Sequence, residues 1–341
     1  NLTREERKPL IEIAKKYYCQ PIVFILNLPE KLCLQINKLK TGVAITPEFI
    51  HEQCEQLRNS YKWFKNDGFN RVYNLVSKKE IGSIAITRTS LPCNFKNESG
   101  AFDIIGDIHG CFDELVLLLE KLDYQINEVS NGDNYFSVFH PENRRIIFLG
   151  DLIDRGPNVP DVLKLAMSIV NSGKGFCVIG NHDIKLMRKL KGNDVNISKE
   201  LAESLSQIEK EPPEFKEKIK DFLENLNSHY ILDHGNLVVS HAGVKHKYQS
   251  RHNKEIFNFG LYGETTGETD DFGYPVRIEW ARDYNGDATV VYGHTPILEP
   301  EWVNNTICVD TGCVFGGKLT TLRYPEKELV SVSSAQVYWK K

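Results

Sequence analysis

The chain has 341 residues, 41% hydrophobic and 26% charged, the balance of an ordinary globular protein with a sizeable core. A net charge of −4 excludes a general electrostatic attraction to nucleic acid, so any such partner must be met by a local patch. No run approaches the roughly 18 apolar residues of a membrane span. With no signal peptide opening the chain, this predicts a cytoplasmic protein without a membrane partner.

In chain order, residues 3–18 have a helical period, with Thr3 placed to cap and Glu6 three positions later. Pro21–Leu26 reads as a buried strand ended by Asn27-Leu28-Pro29. Helical, charged sequence runs from Glu30 to Lys65 with a break near Thr41–Pro47, and Arg71–Leu75 is a short strand. Residues 76–100 are polar and irregular, which predicts a domain boundary, with 86–100 as linker. The first 85 residues thus read as the tail of an α/β domain. The absence of an initial Met fits a piece of a longer polypeptide.

From Phe102 the rhythm changes. Five apolar strand-like runs each end in a polar cluster: FDIIGDIHG, IIFLGDLIDRGP, FCVIGNHD, LVVSHAG and TVVYGHTP. Helical segments follow the first three, predicting a βα-type sheet with its active groups at the strand ends. A charged helical insertion at 184–230, interrupted by Pro212-Pro213, precedes the fourth cluster. Two strands, TICVDTG and GKLTTLRY, and a short tail close the chain. The eight cysteines are scattered without a CxxC pair, the pattern of reduced, mostly buried thiols.

The clusters supply metal ligands. Asp107 and His109 lie one residue apart at a strand end and can face the same side. Asp151 can bridge two cations, Asn181 offers a carbonyl oxygen, and His241 and His294 offer imidazoles. This O/N mixture suits Mn, Fe, Ni, Zn or Co better than Ca or a thiolate zinc site. Two such cations, typically about 3.5–4 Å apart, polarise a phosphoryl group and acidify a bridging water for in-line attack on phosphorus. Arg155 is placed to hold phosphate oxygens. His182 is the candidate general acid for the leaving group, oriented by Asp183 or Asp154. Any one of these residues alone is weak evidence. Five clusters in order, each after an apolar strand, are not.

GDIHG, GDLIDRGP, GNHD, SHAG and GHTP resemble the phosphoprotein-phosphatase branch of the calcineurin-like metallophosphoesterases, over about Phe102 to Arg323. The resemblance implies a β-sandwich flanked by helices, an α/β fold. It implies a first metal on Asp107, His109 and Asp151 and a second on Asp151, Asn181, His241 and His294. Arg155 would be the phosphate clamp, and His182 with Asp183 the acid pair. The flanking stretches LYGETTGETDDFGYPVR, LNSHYILDHGNLVVSHAG and the one from VYGHTPILEPEW to KELVSV look like the phosphatase module of bacterial polynucleotide kinase–phosphatases. That implies a phosphatase at 101–341 using Mn²⁺ or Ni²⁺ to remove 2′/3′-terminal and 2′,3′-cyclic phosphates from RNA 3′ ends in repair. Its implied partners are kinase and ligase-like modules of the same longer polypeptide and an RNA 3′-terminal methyltransferase.

In this reading residues 1–85 resemble the second half of a P-loop kinase domain, a partial α/β segment lacking GxxxxGK[ST] and therefore kinase activity. Where that family's lid tends to carry arginines, this chain has Asn37, Lys38 and Lys40. Two other activities share the metal core. A protein Ser/Thr phosphatase is opposed by GNHD in place of GNHE. A diadenosine tetraphosphatase fits the flanking sequence less well. Arg277 and Arg282 could meet a phosphodiester or form surface ion pairs. Lys185, Arg188, Lys189 and Lys191 could form a basic patch for RNA backbone or a solvated helix face, and Glu264–Asp271 reads as a solvated hairpin in preference to a substrate-gating loop.

Overall fold

The computed structural model describes residues 2–39, 45–129, 134–269 and 275–340. The chain divides into two compact units, Asn1–Ser90 with Arg251–Asn253, and Leu91–Ser250 with Lys254–Lys341. No helix among the described residues is long and apolar enough to cross a membrane.

In the first unit, α1 (Arg4–Lys16) begins as its sequence dictates. Thr3 Oγ1 accepts from the Glu6 N–H, and the Glu6 carboxylate accepts from the Thr3 N–H. Arg7 is buried, donating to Asp67 Oδ2 from Nε at 2.8 Å and Nη2 at 2.6 Å. Strand β1 (Ile22–Leu26) pairs in parallel with β2 (Arg71–Leu75), across α2 (Glu30–Lys38) and α3 (Pro47–Ser60), and α4 (Lys78–Ser83) follows. β1 is not the buried strand its apolar run predicts. Only Ile25 is buried, because a two-stranded sheet leaves most strand positions uncovered; Phe24, 43% exposed, stacks on Tyr73. Lys40 and the part of the expected break at 41–44 lie outside the described residues, and helix resumes with α3 at Pro47.

The second unit places the site. Its strands are β3 (Phe102–Ile105), β4 (Gln125–Glu128), β5 (Phe136–Phe139), β6 (Arg145–Phe148), β7 (Gly175–Cys177), β8 (His229–Leu232), β9 (Leu237–Ser240), β10 (Thr265–Thr269), β11 (Pro275–Arg277), β12 (Thr289–Tyr292), β13 (Trp302–Val303), β14 (Thr306–Cys308), β15 (Lys318–Tyr324) and β16 (Glu328–Ser333). The five strand-to-cluster runs do not form one sheet. They divide between β16-β15-β3-β6-β7 and β13-β14-β12-β9-β8.

The reason lies in the pleat. Ile104, Ile147 and Val178 share one buried cluster with Val239, Val291 and Ile307 of the other sheet. The alternate residues Ile105, Ile146 and Phe148 face instead a cluster with α5 (Phe112–Lys121) and α6 (Val159–Asn171). Strands buried on both faces read as continuous apolar runs, and periodicity alone cannot distinguish one sheet from two. β3, β6 and β7 are mutually parallel, as are β9, β12 and β14. Within each set the C-terminal ends therefore emerge on the same side, which is where all five clusters lie.

The insertion forms α7 (Asn181–Leu190), α8 (Lys199–Ile208) and α9 (Pro213–Glu224), the last starting at Pro213. α10 (Lys254–Tyr262) precedes the β10–β11 pair. Of the acidic hairpin, Asp270 and Asp271 lie outside the described residues.

Candidate metal centre

Each predicted ligand sits just beyond a strand, and close backbone approach explains the glycines before two of them. A Cβ on Gly293 would come within 2.1 Å of Asp107 Oδ1, and one on Gly180 within 2.2 Å of Asp151 Oδ1. Asp107, 4% exposed, accepts from the His294 N–H with both oxygens at 3.1 Å. Asp151, 2% exposed, is the shared member of two clusters whose ligand atoms lie within 4.8 Å of one another: His109–Asp151–His182 and Asp151–His241–His294. His182 thus stands in the first cluster beside the predicted ligands.

The ring orientations are fixed by carbonyls, which can only accept. His109 Nδ1 donates to Ile153 O at 2.7 Å and His241 Nδ1 to Leu149 O at 2.8 Å, turning each Nε2 lone pair inward. His241 Nε2 there lies 3.0 Å from Asn181 Oδ1 and 3.0 Å from His294 Nδ1. Among the described residues, His294 Nε2 is buried with no hydrogen-bond partner. Burial holds His109, His241 and His294 below the usual imidazole range. Burial, then Asp310 and Asp151, push Asp107 well up. For Asp151 burial acts upward, but the surrounding imidazoles of His241, His182, His109 and His294 outweigh it and hold the carboxylate low.

Converging lone pairs and crowded carboxylates, with few protons to share, are the donor set of a divalent cation site. The residues present therefore fit a pair of metals.

The question of which carboxylate orients His182 has an answer in the geometry. His182 Nδ1 lies 2.6 Å from Asp154 Oδ2. Asp183 instead accepts from the Leu152 N–H at 3.0 Å and the Gly180 N–H at 2.9 Å, bracing the start of α7. Burial, and next Asp151, push Asp183 up to about 7. Asp154 is itself held by a residue without a motif: Ser204 Oγ, from α8, donates to Asp154 Oδ1 at 2.6 Å. Asp310, after β14, is a second buried acid that the sequence reading passed over, although it lies within the quoted TICVDTG.

Arg155 Nη1 lies 2.7 Å from His109 Nε2, and Nη2 lies 3.1 Å from His182 Nε2. Among the described residues no carboxylate is ion-paired to Arg155, which leaves its charge available to an anion. Arg282 pairs with Glu279 and Lys191 with Glu224, so both are committed at the surface. Arg277 donates to Tyr262 O at 2.7 Å and is among the charges acting on His241 and His294.

This sandwich and its two-cluster centre define a metal-dependent phosphoesterase. The calcineurin-like phosphoesterase family model matches residues 101–298, and the chain belongs to that family. Among curated relatives, the asymmetrical bis(5′-nucleosyl)-tetraphosphatase PrpE of Anoxybacillus flavithermus is 45% identical over 242 residues, 70% of this chain and 96% of the relative. The proteins of that name from Bacillus subtilis and Oceanobacillus iheyensis are each 43% identical, covering 70% and 69% of this chain and 96% and 93% of the relatives.

These relatives overturn the expectation of an RNA end-healing phosphatase and favour the tetraphosphatase alternative. The five clusters build a phosphoryl-transfer centre without choosing its substrate. The RNA reading depends on a resemblance of flanking sequence, which does not by itself say what those residues bind.

Proposed function

We propose that the chain hydrolyses bis(5′-nucleosyl) tetraphosphates asymmetrically, leaving one phosphate on one nucleoside and three on the other. The observation that carries this reading is the 45% identity along 96% of a protein of that named activity. Two divalent metals, Mn²⁺ or Ni²⁺, would be held by Asp107, His109, Asp151, Asn181, His241 and His294. When bound, they supply Lewis-acid polarisation of the phosphoryl group and an acidified water.

The chain's own residues do the remainder. Arg155 binds the non-bridging oxygens of the attacked phosphate with its fork of donors. His182 Nε2, turned toward the same place, gives its proton to the departing oxygen. Asp154 fixes the other ring nitrogen at 2.6 Å and stabilises the charged imidazole before transfer. Residues 1–85 are proposed as a kinase-domain remnant; what supports this is the parallel β1–β2 pair spanned by helices.

The test is product analysis with Mn²⁺-loaded protein and diadenosine tetraphosphate. ATP and AMP in equal amounts are expected. Two ADP, or no turnover alongside rapid release of phosphate from a phosphopeptide, overturns the reading.

A further inference from the structure

The metal centre accounts for the phosphates of such a substrate but not for its nucleosides. Beside His294 opens a cleft of about 670 Å³, within the roughly 300–1,000 Å³ usual for small-molecule sites. It is lined by His294 and Thr295, by Arg277, and by the aromatic rings of Trp280, Tyr292 and Trp302. Trp280 is fixed, its Nε1–H donating to Ala242 O at 3.2 Å and its ring 5.0 Å from that of Tyr292. Trp302, 39% exposed on the edge strand β13, forms the lip, with Lys327 Nζ 4.9 Å from its ring centroid. Both the rings and the metal-side histidine line the same space.

The charges sort themselves along it. Glu264 is paired with Lys245, Glu279 with Arg282 and Glu299 with Lys318, so most of the acidic rim is neutralised. Arg277 has no carboxylate partner among the described residues; it lines the cleft and is near enough to the metal side for its charge to act on His241 and His294. A metal-side histidine, a cation and aromatic faces lining one cleft are the groups that would meet the reacting phosphate, the further phosphates and the base of a nucleoside polyphosphate. Bases stack on aromatic side chains independently of sequence.

We propose that this cleft binds the nucleoside and the phosphates beyond the scissile one: Arg277 grips the distal polyphosphate and Trp302 stacks the base. The inference rests on the tetraphosphatase reading and names its substrate subsite.

The experiment compares diadenosine tetraphosphate with p-nitrophenyl phosphate, which has neither distal phosphates nor a base. For Trp302→Ala, KM for the dinucleotide should rise on the order of 10-fold. The dinucleotide-to-aryl ratio of kcat/KM should fall by a similar factor, and Trp302→Phe should recover most of it. Arg277→Met should lower the same ratio, and more so for the tetraphosphate than for a dinucleoside diphosphate. Melting curves of each variant separate misfolding from lost binding, and Trp302→Phe provides a second, conservatively altered protein. If the wild type splits the tetraphosphate and Trp302→Ala leaves the ratio unmoved, the subsite is wrong while the activity stands. If the wild type does not split it, the activity and the subsite fall together.

Discussion

Ser204 offers the sharpest test of the acid chain, because it touches neither metal ligand nor substrate. Its side chain is fully buried, and its single hydroxyl proton has two acceptors within reach: Asp154 Oδ1 at 2.6 Å and Glu200 O at 3.2 Å. The shorter contact to a carboxylate takes the proton, and Ser204 Oγ in turn accepts from the Asp154 N–H at 3.1 Å. Ser204→Ala removes both contacts. A hydrogen bond to a charged group contributes about 1.5–3 kcal/mol, so a loss of roughly 2–3 kcal/mol is expected. For a unit of this size that lowers Tm by roughly 5–10 °C.

The catalytic consequence is selective. Asp154 would still reach His182 through Oδ2 but would no longer be fixed on its other side. General acid catalysis contributes about 10²–10⁴-fold, and a loosened orienting group should forfeit on the order of 10-fold of it. That loss should fall on alkyl phosphates, whose leaving alkoxide needs the proton, and much less on aryl phosphates. The assay is kcat on both substrates under saturating metal, with Tm measured in parallel. Equal losses on the two substrates, or an unchanged Tm, would refute the chain from Ser204 through Asp154 to His182.

His182→Ala should slow alkyl phosphates by about 10²-fold or more. The effect on diadenosine tetraphosphate should be smaller, since its leaving group is a phosphate whose last pKa is only about 6; a leaving-group series of kcat values checks this. Asp151→Ala should abolish turnover and the tight binding of two metals, read by metal analysis after gel filtration; retained turnover would remove Asp151 as the bridge. Gly180→Ala should cost about 1–3 kcal/mol in thermal unfolding and disturb metal binding, because its Cβ would meet Asp151 Oδ1 at 2.2 Å. Arg144→Met should destabilise by about 3 kcal/mol through the exposed charge deficit at buried Asp103. Arg144 Nε donates to that carboxylate at 2.9 Å, and Arg323 and Tyr124, which also contact it, keep the cost at the low end. Denaturant titration of Arg144→Met beside Arg144→Met/Asp103→Asn should show the double variant less than additive.

Much of this was legible because the chemistry is local. Asp107 and His109, or Asn181 and His182, are near neighbours in the chain, and strands ending at a common side make such pairs converge. The choice of Asp154 over Asp183 was not legible. Both lie in motifs beside His182, and only the turn at Asp154, with a φ of 71°, aims one at the ring and leaves the other on backbone N–H groups. Ser204 was out of reach for a different reason. It comes from a helical insertion with no motif, and its contact spans 50 residues. Cys111 and Cys313 illustrate the same limit: scattered in sequence, they meet beside Glu114 with ligand atoms within 4.8 Å. The final strand β16 was read as a tail because ELVSVS has no boundary signal of its own; its pairing with β15 makes it a strand.

The misassigned substrate follows from the same division. Reaction type is set by groups within a few ångströms of one phosphorus, and these are bound to short spacings that evolution of the substrate need not alter. In the proposed subsite, substrate choice is set farther out, by Arg277, Trp280, Tyr292 and Trp302, which come from a hairpin strand, a helical turn, a sheet strand and an edge strand. No spacing links an arginine and three aromatic residues on four separate elements, so no motif could announce them. A sequence can therefore declare a phosphoesterase through its strand ends while leaving the substrate to a cleft that only the folded sheet assembles.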